Sequence, residues 1–172
     1  MESYYKLRKD LSIEHFGKKL FRIEATHDIE CQDVKKGDLG GYIEKKENLF
    51  GNAWVSGDAQ ISDDARIYGN ARIFGSAQIS GNARIFGSAQ IFGSARISGD
   101  EVKTSKDVYN ITSNSQYDIT ILPKYIQIGC EFHKKEEWFK FTDKQIFLMN
   151  GKNGLIWWKQ WRPILKAICK IT

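Results

Sequence analysis

Three histidines are the side chains of this sequence best suited to proton transfer near neutral pH: His15, His27 and His133. His27 is followed by Asp28 and Glu30, so it could serve as a general base beside a carboxylate. The sequence has no Ser-His-Asp order, no paired-carboxylate motif and no metal-ligand spacing. A single histidine in a polar segment is more typical of a solvated surface residue. We therefore expect a protein that is not an enzyme and that has no catalytic residue, cofactor or metal.

The cysteines and glycines also lack the spacing that chemistry would require. Cys31, Cys130 and Cys169 are odd in number and far apart, and none belongs to a CxxC pair. This usage is typical of reduced thiols in a cytoplasmic protein rather than of a disulfide framework or a zinc site. The glycines within 35–41 have neither the GxxxxGK[ST] nor the GxGxxG spacing of phosphate loops, so we interpret them as a turn.

Composition and charge narrow the remaining classes of function. The chain has 172 residues, of which 41% are hydrophobic and 27% charged, so it can bury a core. It has no apolar run long enough to span a bilayer and starts without an apolar leader, which predicts a cytoplasmic protein with no membrane contact. Residues 103–172 carry a formal charge of +6, against 0 for 1–48 and −1 for 49–102. Attraction to an acidic partner therefore belongs to the C-terminal region, unless its lysines form only a solvated surface.

The central third of the sequence is an internal repeat. Ten six-residue units follow one another from 43 to 102 without an insertion, and most read aliphatic-x-Gly-x-Ala-x, as in IYGNAR at 67–72. On a strand the aliphatic residue and the alanine point inward together, while glycine supplies backbone freedom near a corner. Three units close one coil, and stacked coils form parallel strands about 4.8 Å apart. The repeat predicts a left-handed parallel β-helix of about three coils, and the lack of a 3.6-residue period disfavours an amphipathic helix.

The residues before the repeat predict a β-hairpin. Tyr4–Leu11 and Lys19–Ala25 alternate apolar and polar residues around a His15-Phe16-Gly17 turn. An open end of a β-helix is a template for strand pairing, so we expect this hairpin to cap one end of the coils. The stretch Lys35–Gly41 would then be the turn that leads into the first coil.

The residues after the repeat predict a small α/β module. The sequence favours two strands around Pro123, a short helix, a turn, and a final helix with Pro163 in its first turn. These elements are assigned to Tyr117–Leu122, Lys124–Cys130, Lys134–Phe141, Asn150–Gly154 and Pro163–Ile171. The protein is thus predicted to be mainly β, with a capping hairpin region at 1–42, the β-helix at 43–102 and the α/β module at 103–172.

Residues eighteen apart stack in columns on the outer faces of the coils, because three units make one coil. If the second residue of each unit points outward, two faces carry aromatic columns and the third is polar. The column of Phe50, Tyr68 and Phe86 is then expected beside Trp54 and Arg72, and the column of Phe74 and Phe92 beside Arg96. Aromatic side chains interleaved with arginine and glutamine are typical of a binding surface. The candidate interaction surface joins these columns to aromatic and basic residues of the C-terminal module: Phe50, Trp54, Tyr68, Arg72, Phe74, Phe86, Phe92, Arg96, Lys134, Lys135, Trp138, Trp157, Trp158, Trp161 and Arg162.

These aromatic residues have alternative roles. The columns could only stabilise the stack of coils, as cross-strand aromatic neighbours do, or they could be covered by the terminal regions of the same chain. An intermolecular contact would in its simplest form be self-association, since flat β-helix faces suit symmetric packing. Most tryptophans of the C-terminal module are expected in its core, with some Trp and Lys pairs forming a partner surface.

Two resemblances add to this interpretation. The repeat units resemble the hexapeptide repeats of left-handed β-helix proteins, whose commonest members are acyltransferases. The segment Val34-Lys35-Lys36-Gly37-Asp38-Leu39-Gly40-Gly41-Tyr42-Ile43-Glu44, followed by Glu47-Asn48-Leu49, runs directly into Gly-Asn-Ala repeats, and the segments 126–132 and 161–168 come later. This order resembles a largely uncharacterised family of small hexapeptide-repeat proteins encoded by bacteriophages and prophages.

The second resemblance implies a setting, the host bacterial cytoplasm, and no established activity. Small phage proteins that act inside bacteria often block host defence. The expected function is therefore non-catalytic binding and inhibition of a host protein or ribonucleoprotein complex, such as a CRISPR-type immune effector. The alternatives are sequestration of a small nucleotide signal between subunits, and acyl transfer, which is disfavoured because no histidine lies in the repeats and no loop projects from them. Nucleic acid is a minor candidate partner.

Overall fold

The computed structural model describes residues 4–111 and 116–170 of the chain. In these residues the strands are β1 (Tyr5–His15), β2 (Lys18–Ala25), β3 (Leu39–Ile43), β4 (Trp54–Val55), β5 (Gln60–Ile61), β6 (Arg66–Ile67), β7 (Arg72–Ile73), β8 (Gln78–Ser80), β9 (Arg84–Ile85), β10 (Gln90–Ile91), β11 (Arg96–Ser98), β12 (Glu101–Val102), β13 (Tyr109–Ile111), β14 (Ile119–Ile121), β15 (Tyr125–Ile128) and β16 (Glu131–Lys134). The helices are α1 (Lys135–Lys140) and α2 (Asp143–Cys169). The protein is mainly β, as the sequence predicts.

The repeats form a β-solenoid with three parallel faces. One face continues from β3 through β5 and β8 to β11, the second contains β4, β7 and β10, and the third contains β6, β9 and β12. Paired residues lie eighteen apart, as in Arg66 with Arg84, so three units make each coil. The isoleucines and alanines of the repeat point inward and are buried. The predicted solenoid of about three coils is confirmed, and its left-handed sense stays a prediction.

The third position of the unit takes a positive φ at the corners, and glycine occupies it at most of them, whereas Asp63 does so with a φ of +59°. Gly75 has a φ of +80°, a conformation that side chains with a Cβ rarely adopt. A Cβ on Gly75 would also lie 2.9 Å from the backbone nitrogen and oxygen of Gly93 in the next coil. These two stacked corners are therefore too close for any side chain in place of Gly75.

The last unit of the solenoid has five residues instead of the predicted six. Val102 pairs with Ile85, seventeen residues earlier, and is fully buried at the position of the inward aliphatic residue. Asp100 consequently takes the place of the repeat alanine, and its backbone oxygen accepts the hydrogen bond from Arg84 N that Ala83 accepts from Arg66 in the coil before. The shortened corner brings a carboxylate into the end of the core.

The N-terminal hairpin extends one solenoid face. Strands β1 and β2 pair antiparallel, β2 pairs antiparallel with β3, and β3 pairs parallel with β5. Tyr5, Ile23, Ile29 and Val34 join the buried cluster of the coils, which confirms the predicted hairpin cap. The prediction of a turn over Lys35–Gly41 is wrong beyond Asp38, because Leu39 and both following glycines lie in β3.

The close packing of this strand explains why its second and third residues are glycines. A Cβ on Gly40 would lie 2.5 Å from the side chain of Ile23 and 2.5 Å from the backbone oxygen of Val55. A Cβ on Gly41 would lie 2.7 Å from the backbone oxygen of Ala59. These glycines therefore allow the hairpin and the first coil to approach each other.

The C-terminal module contains an antiparallel sheet in the order β13-β14-β15-β16, followed by the two helices. The predicted strands around Pro123 and the short helix α1 are present. The predicted turn at Asn150–Gly154 is confirmed at Asn150 and Gly151, which separate two helical segments, and is wrong for 152–154. The predicted start of a helix at Pro163 is wrong. Only Asn150 and Gly151 leave helical geometry, and α2 continues through Pro163 to Cys169.

Two buried clusters hold this module in place. Leu122 is buried in the solenoid cluster, and Val108, Tyr125 and Phe132 pack against it, so the C-terminal sheet covers the second end of the coils. The other cluster lies between the sheet and the helices. It contains four isoleucines of the strands and the buried side chains of the helices, Trp138, Phe139, Ile146, Trp157, Trp158 and Leu165.

Candidate interaction surface

Two aromatic columns stand on the outside of the solenoid, and we call them together the aromatic surface. The first contains Phe50, Tyr68 and Phe86, and the second contains Phe74 and Phe92. The rings of Tyr68 and Phe86 are parallel within 5° with centroids 5.1 Å apart. The rings of Phe74 and Phe92 are inclined by 24° with centroids 5.7 Å apart. Each column is thus stacked along the direction in which the coils repeat.

The aromatic surface stays accessible in spite of this stacking. Phe50, Phe74 and Phe92 are 46%, 37% and 49% exposed, and Tyr68 and Phe86 are partly buried. Stacked rings cover only one another's faces, so the outer edges remain in water. Exposed aromatic area of this kind can bury apolar surface against a partner.

The polar side chains that lie beside each aromatic column differ from those predicted. Each strand spans the boundary between two units, so the sixth residue of one unit and the second residue of the next share one face. Arg72 therefore accompanies Phe74, and Arg84 accompanies Phe86. The prediction placed Arg72 and Trp54 with the column of Tyr68, and it placed Arg96 with the column of Phe74. Both assignments are wrong, and Arg96 lies on the polar third face beside Ser98.

An open polar depression of about 760 Å³ adjoins the first column. Arg66 and Arg84 lie in register on neighbouring strands along it, and Lys124 of the C-terminal module lies at its border. Arg84 Nη1 is 3.5 Å from a carboxylate oxygen of Glu101, whereas Asp64 pairs with Lys45 at 2.9 Å. Arg66 and Arg84 therefore form a line of arginines beside the first aromatic column.

Four predicted surface tryptophans are buried. Trp54 is 4% exposed and belongs to the solenoid cluster with Ile29 and Val34, because the segment before β3 covers it. That segment is fixed by Arg72, which donates to the backbone oxygen of Gln32 at 3.2 Å. The remaining three form the core of the C-terminal module and are 2–7% exposed: Trp138, Trp157 and Trp158.

The other predicted residues of the C-terminal module remain at least partly accessible. Trp161 stacks on Trp157 with centroids 5.5 Å apart, and Arg162 donates to the backbone oxygen of Phe139 at 2.8 Å. Lys134 is exposed and Lys135 is partly buried at the start of α1. These side chains lie on the module and not on the solenoid, so the single surface predicted from the sequence is at least two surfaces.

The histidines lie on three separate elements. His15 is at the hairpin tip against Phe16, and His133 is packed edge-on by Trp138 and Phe141. His27 is exposed, and its Nδ1 is 3.0 Å from Thr26 Oγ1. Among the described residues, no hydrogen bond joins one histidine to another.

The carboxylate suggested as a partner of His27 is engaged elsewhere. Asp28 accepts a hydrogen bond from the backbone nitrogen of Lys36 at 2.8 Å, and this bond, aided by Lys35, holds the pKa of Asp28 below its usual range. The carboxylate thus organises the turn before β3. Among residues 4–111 and 116–170, no three His, Cys, Asp or Glu side chains are grouped so as to hold a metal ion. No helix in these residues is long and apolar enough to cross a membrane.

Comparison with known proteins reaches the solenoid only. A family described as the YdcK β-solenoid repeat matches the chain at residues 59–73, 65–78 and 77–93. No curated protein is significantly similar to the chain. The matched residues lie in the coils that carry the aromatic surface. Over these coils the chain is similar to a family of β-solenoid repeat proteins.

Proposed function

We propose that the protein is a non-catalytic interaction protein that binds another macromolecule through the aromatic surface of its solenoid. The supporting observation is the pair of stacked aromatic columns, each with arginine two residues earlier on the same face. Aromatic and arginine side chains are enriched where protein interfaces gain most of their binding energy. The flat parallel faces also hold these side chains on rigid backbone, so little conformational entropy is lost on binding.

The finer proposal is that the protein is phage-encoded and inhibits a host immune complex of the CRISPR type. It is supported by the resemblance of residues 34–49 and of the repeats to small phage and prophage proteins. The mixed aromatic and basic character of the surface suits a ribonucleoprotein, because arginine can meet phosphates while aromatic rings meet protein or bases.

The test is a binding and inhibition assay with purified CRISPR-type effector complexes. The protein is titrated into each complex, and binding of the complex to its target DNA is measured with and without prior nuclease treatment of the protein. The expected result is stoichiometric loss of target binding with at least one complex. Failure with every complex, while the protein remains folded, would reject the immune-inhibitor proposal.

A matched pair of variants tests the surface itself. Phe74→Ser with Phe92→Ser removes the second column, whereas Ser80→Ala with Ser98→Ala changes the polar face at the same two coil levels. Loss of an interface aromatic costs about 2 kcal/mol or more, so the first pair should weaken binding by roughly thirtyfold or more. Equal binding by both pairs would place the contact elsewhere on the molecule.

A further inference from the structure

Helix α2 exposes several large apolar side chains to solvent, and we call them together the apolar stripe. After the break at Asn150 and Gly151, its exposed large apolar side chains are Ile156, Ile164 and Ile168, at 48%, 47% and 39%. Eight positions turn a helix by about 80° and four by about 40°, so these side chains form a row that winds around the helix axis. Pro163 and Ala167 are exposed between them, so the stripe runs along most of the helix.

A row of lysines borders this apolar stripe. Lys152, Lys159 and Lys166 recur every seven residues and so lie along one line of the helix, and Lys170 follows as the residue that caps its C-terminus. Lys152, Lys159 and Lys170 are exposed, and Lys166 is partly buried. Lys159 pairs with Asp143 at 2.7 Å, with both side chains about 60% exposed.

The charge of this region is not balanced within its own sequence. Residues 144–172 contain five lysines and one arginine and no aspartate or glutamate. The exposed pair with Asp143 neutralises little, because ion pairs in water are weak and screened by salt. The outer face of α2 therefore combines apolar side chains with an uncompensated row of positive charge.

We propose that this face of α2 binds an anionic lipid surface. The isoleucines would enter the boundary between headgroups and acyl chains, and the lysine ammonium groups would lie at the level of the lipid phosphates. The contact is peripheral and leaves the fold intact. It goes beyond the function proposed above, and it revises the expectation from the sequence that the protein makes no membrane contact.

Other partners match this face less well. A second copy docked through the same face would add more lysines and only one acidic residue of this helix, Asp143, so it could not neutralise the row. A nucleic acid would meet the lysines but would leave the isoleucines without an apolar counterpart. An acidic protein could satisfy both groups, but lysine is depleted in protein interfaces, where arginine is preferred. Lysine stems that lie along apolar surface while the ammonium stays in water suit a lipid boundary.

The test is co-sedimentation of the full chain with vesicles. One preparation contains phosphatidylcholine alone, and the other contains equal parts of phosphatidylcholine and phosphatidylglycerol. We expect binding to the anionic vesicles that weakens with added salt, and little binding to the neutral vesicles. Absence of binding to the anionic vesicles, or equal binding to both preparations, would overturn the proposal.

Three sets of variants separate the effect of this helix face on vesicle binding from the effect of the overall charge of the protein. The set K152Q, K159Q and K166Q should lower partitioning by about a hundredfold, at about fivefold per lysine. The set I156S and I164S should lower it roughly tenfold or more. The control set K9Q, K36Q and K106Q removes the same charge elsewhere and should keep most of the binding, with folding of all variants checked by circular dichroism. A loss as large in the control set would contradict a role for this face.

The same variants identify an acidic protein partner. If anionic vesicles are not bound, yet the stripe variants lose a partner that the control set retains, the lipid proposal is overturned in favour of a protein groove. The function proposed for the solenoid is judged separately, because none of these substitutions touches the aromatic surface.

Discussion

The carboxylate of Asp100 accepts a hydrogen bond from the backbone nitrogen of Lys124 at 2.9 Å and thereby joins the last coil to the C-terminal module. Its other oxygen accepts from the backbone nitrogen of Glu101 at 2.8 Å. Asp100 is 3% exposed, so both bonds are shielded from water. The position that holds alanine in the inner coils is used here to attach a second structural unit.

The first prediction concerns this attachment. Asp100→Ala should destabilise the protein by about 1–3 kcal/mol, because two backbone N–H groups lose their buried acceptor. Asp100→Asn should have a smaller effect, since its amide oxygen can still accept one of the two bonds. Urea unfolding measures both. If Asp100→Ala left the free energy of unfolding unchanged or raised it, the packing of alanine at this position would contribute more to stability than the two hydrogen bonds.

The second prediction concerns the opposite end of the solenoid. Asn48 is fully buried, and its amide nitrogen donates to the backbone oxygens of Asp63 at 3.0 Å and Ala65 at 2.8 Å. It therefore satisfies carbonyl groups at the open edge of the first coil. Asn48→Ala should cost about 1–3 kcal/mol. Asn48→Asp should cost more, because a carboxylate would face two carbonyl oxygens, and an equal cost for both variants would contradict this role.

The third prediction concerns the glycine corners. Gly75→Ala combines an unfavourable positive φ with a contact to Gly93, whereas Gly37→Ala at φ +95° meets nothing within 4 Å. The Gly37 variant should lose about 1–3 kcal/mol from backbone strain alone. The Gly75 variant should lose more, because the coils must also separate. Equal losses in thermal or urea unfolding would show that close approach of the corners contributes nothing.

The fourth prediction is a pH dependence at the hairpin tip. Lys18 pairs with Asp63, and this hydrogen bond, with a second from the backbone nitrogen of Gly81, holds the pKa of Asp63 below its ordinary value of about 3.9. A carboxylate whose pKa is lowered by folding stabilises the protein above its unfolded pKa, and that stabilisation is lost as the pH falls through its folded pKa.

The measurement is the Tm of the wild type and of Asp63→Asn across acid pH. The wild type should melt higher above about pH 5, and the two values should converge as the pH falls below about 4. Asp58→Asn, which removes a carboxylate from another corner, serves as control. A difference in Tm that persists unchanged at low pH would show that the carboxylate charge is not its source.

The fifth prediction separates two roles of the aromatic columns. A double-mutant cycle with Tyr68→Ala and Phe86→Ala should give a coupling energy of about 0.5–1.5 kcal/mol, as for other stacked aromatic pairs. A coupling energy in this range would mean that stacking contributes only modestly to stability. Binding would then remain as the role of the exposed ring edges. A much larger coupling energy would mean that the column serves chiefly to stabilise the stack of coils.

The solenoid could be predicted from the sequence because its period is local. The inward aliphatic residue, the alanine and the corner glycine occur together in seven of the ten units, so the same physical requirement is visible many times. The five-residue unit could not be identified this way. The residues around Asp100 look like an ordinary Ser-Gly-Asp corner, and the deletion becomes visible only when Val102 is seen opposite Ile85.

The C-terminal helix was predicted less well because glycine and proline have more than one use. Gly154 lies within α2, where a Cβ would be 2.4 Å from the side chain of Asn150 and 3.4 Å from the Tyr117 hydroxyl. It is therefore a close-packing residue and not part of a turn. Pro163 stands on the exposed side of the helix, where the carbonyl left without its N–H partner can reach water.

The exposure of the candidate residues was predicted only in part, because burial depends on contacts distant in sequence. The exposed phenylalanines of the columns were found from the repeat alone. The burial of Trp54 depends on the segment before β3, which nothing in the repeat reveals. The stripe on α2 was missed because the helix itself was interrupted in the prediction.

The inner coils repeat with a step of eighteen residues, so the length of the solenoid is set in discrete increments. A buried polar side chain forms hydrogen bonds to the backbone at each end of the solenoid, Asn48 at one end and Asp100 at the other. These hydrogen bonds do not depend on how many coils lie between them. Duplicating one inner coil would move the hairpin and the C-terminal helix apart by about 4.8 Å without altering either. A solenoid of this design could thus vary in length, coil by coil, between the same two ends.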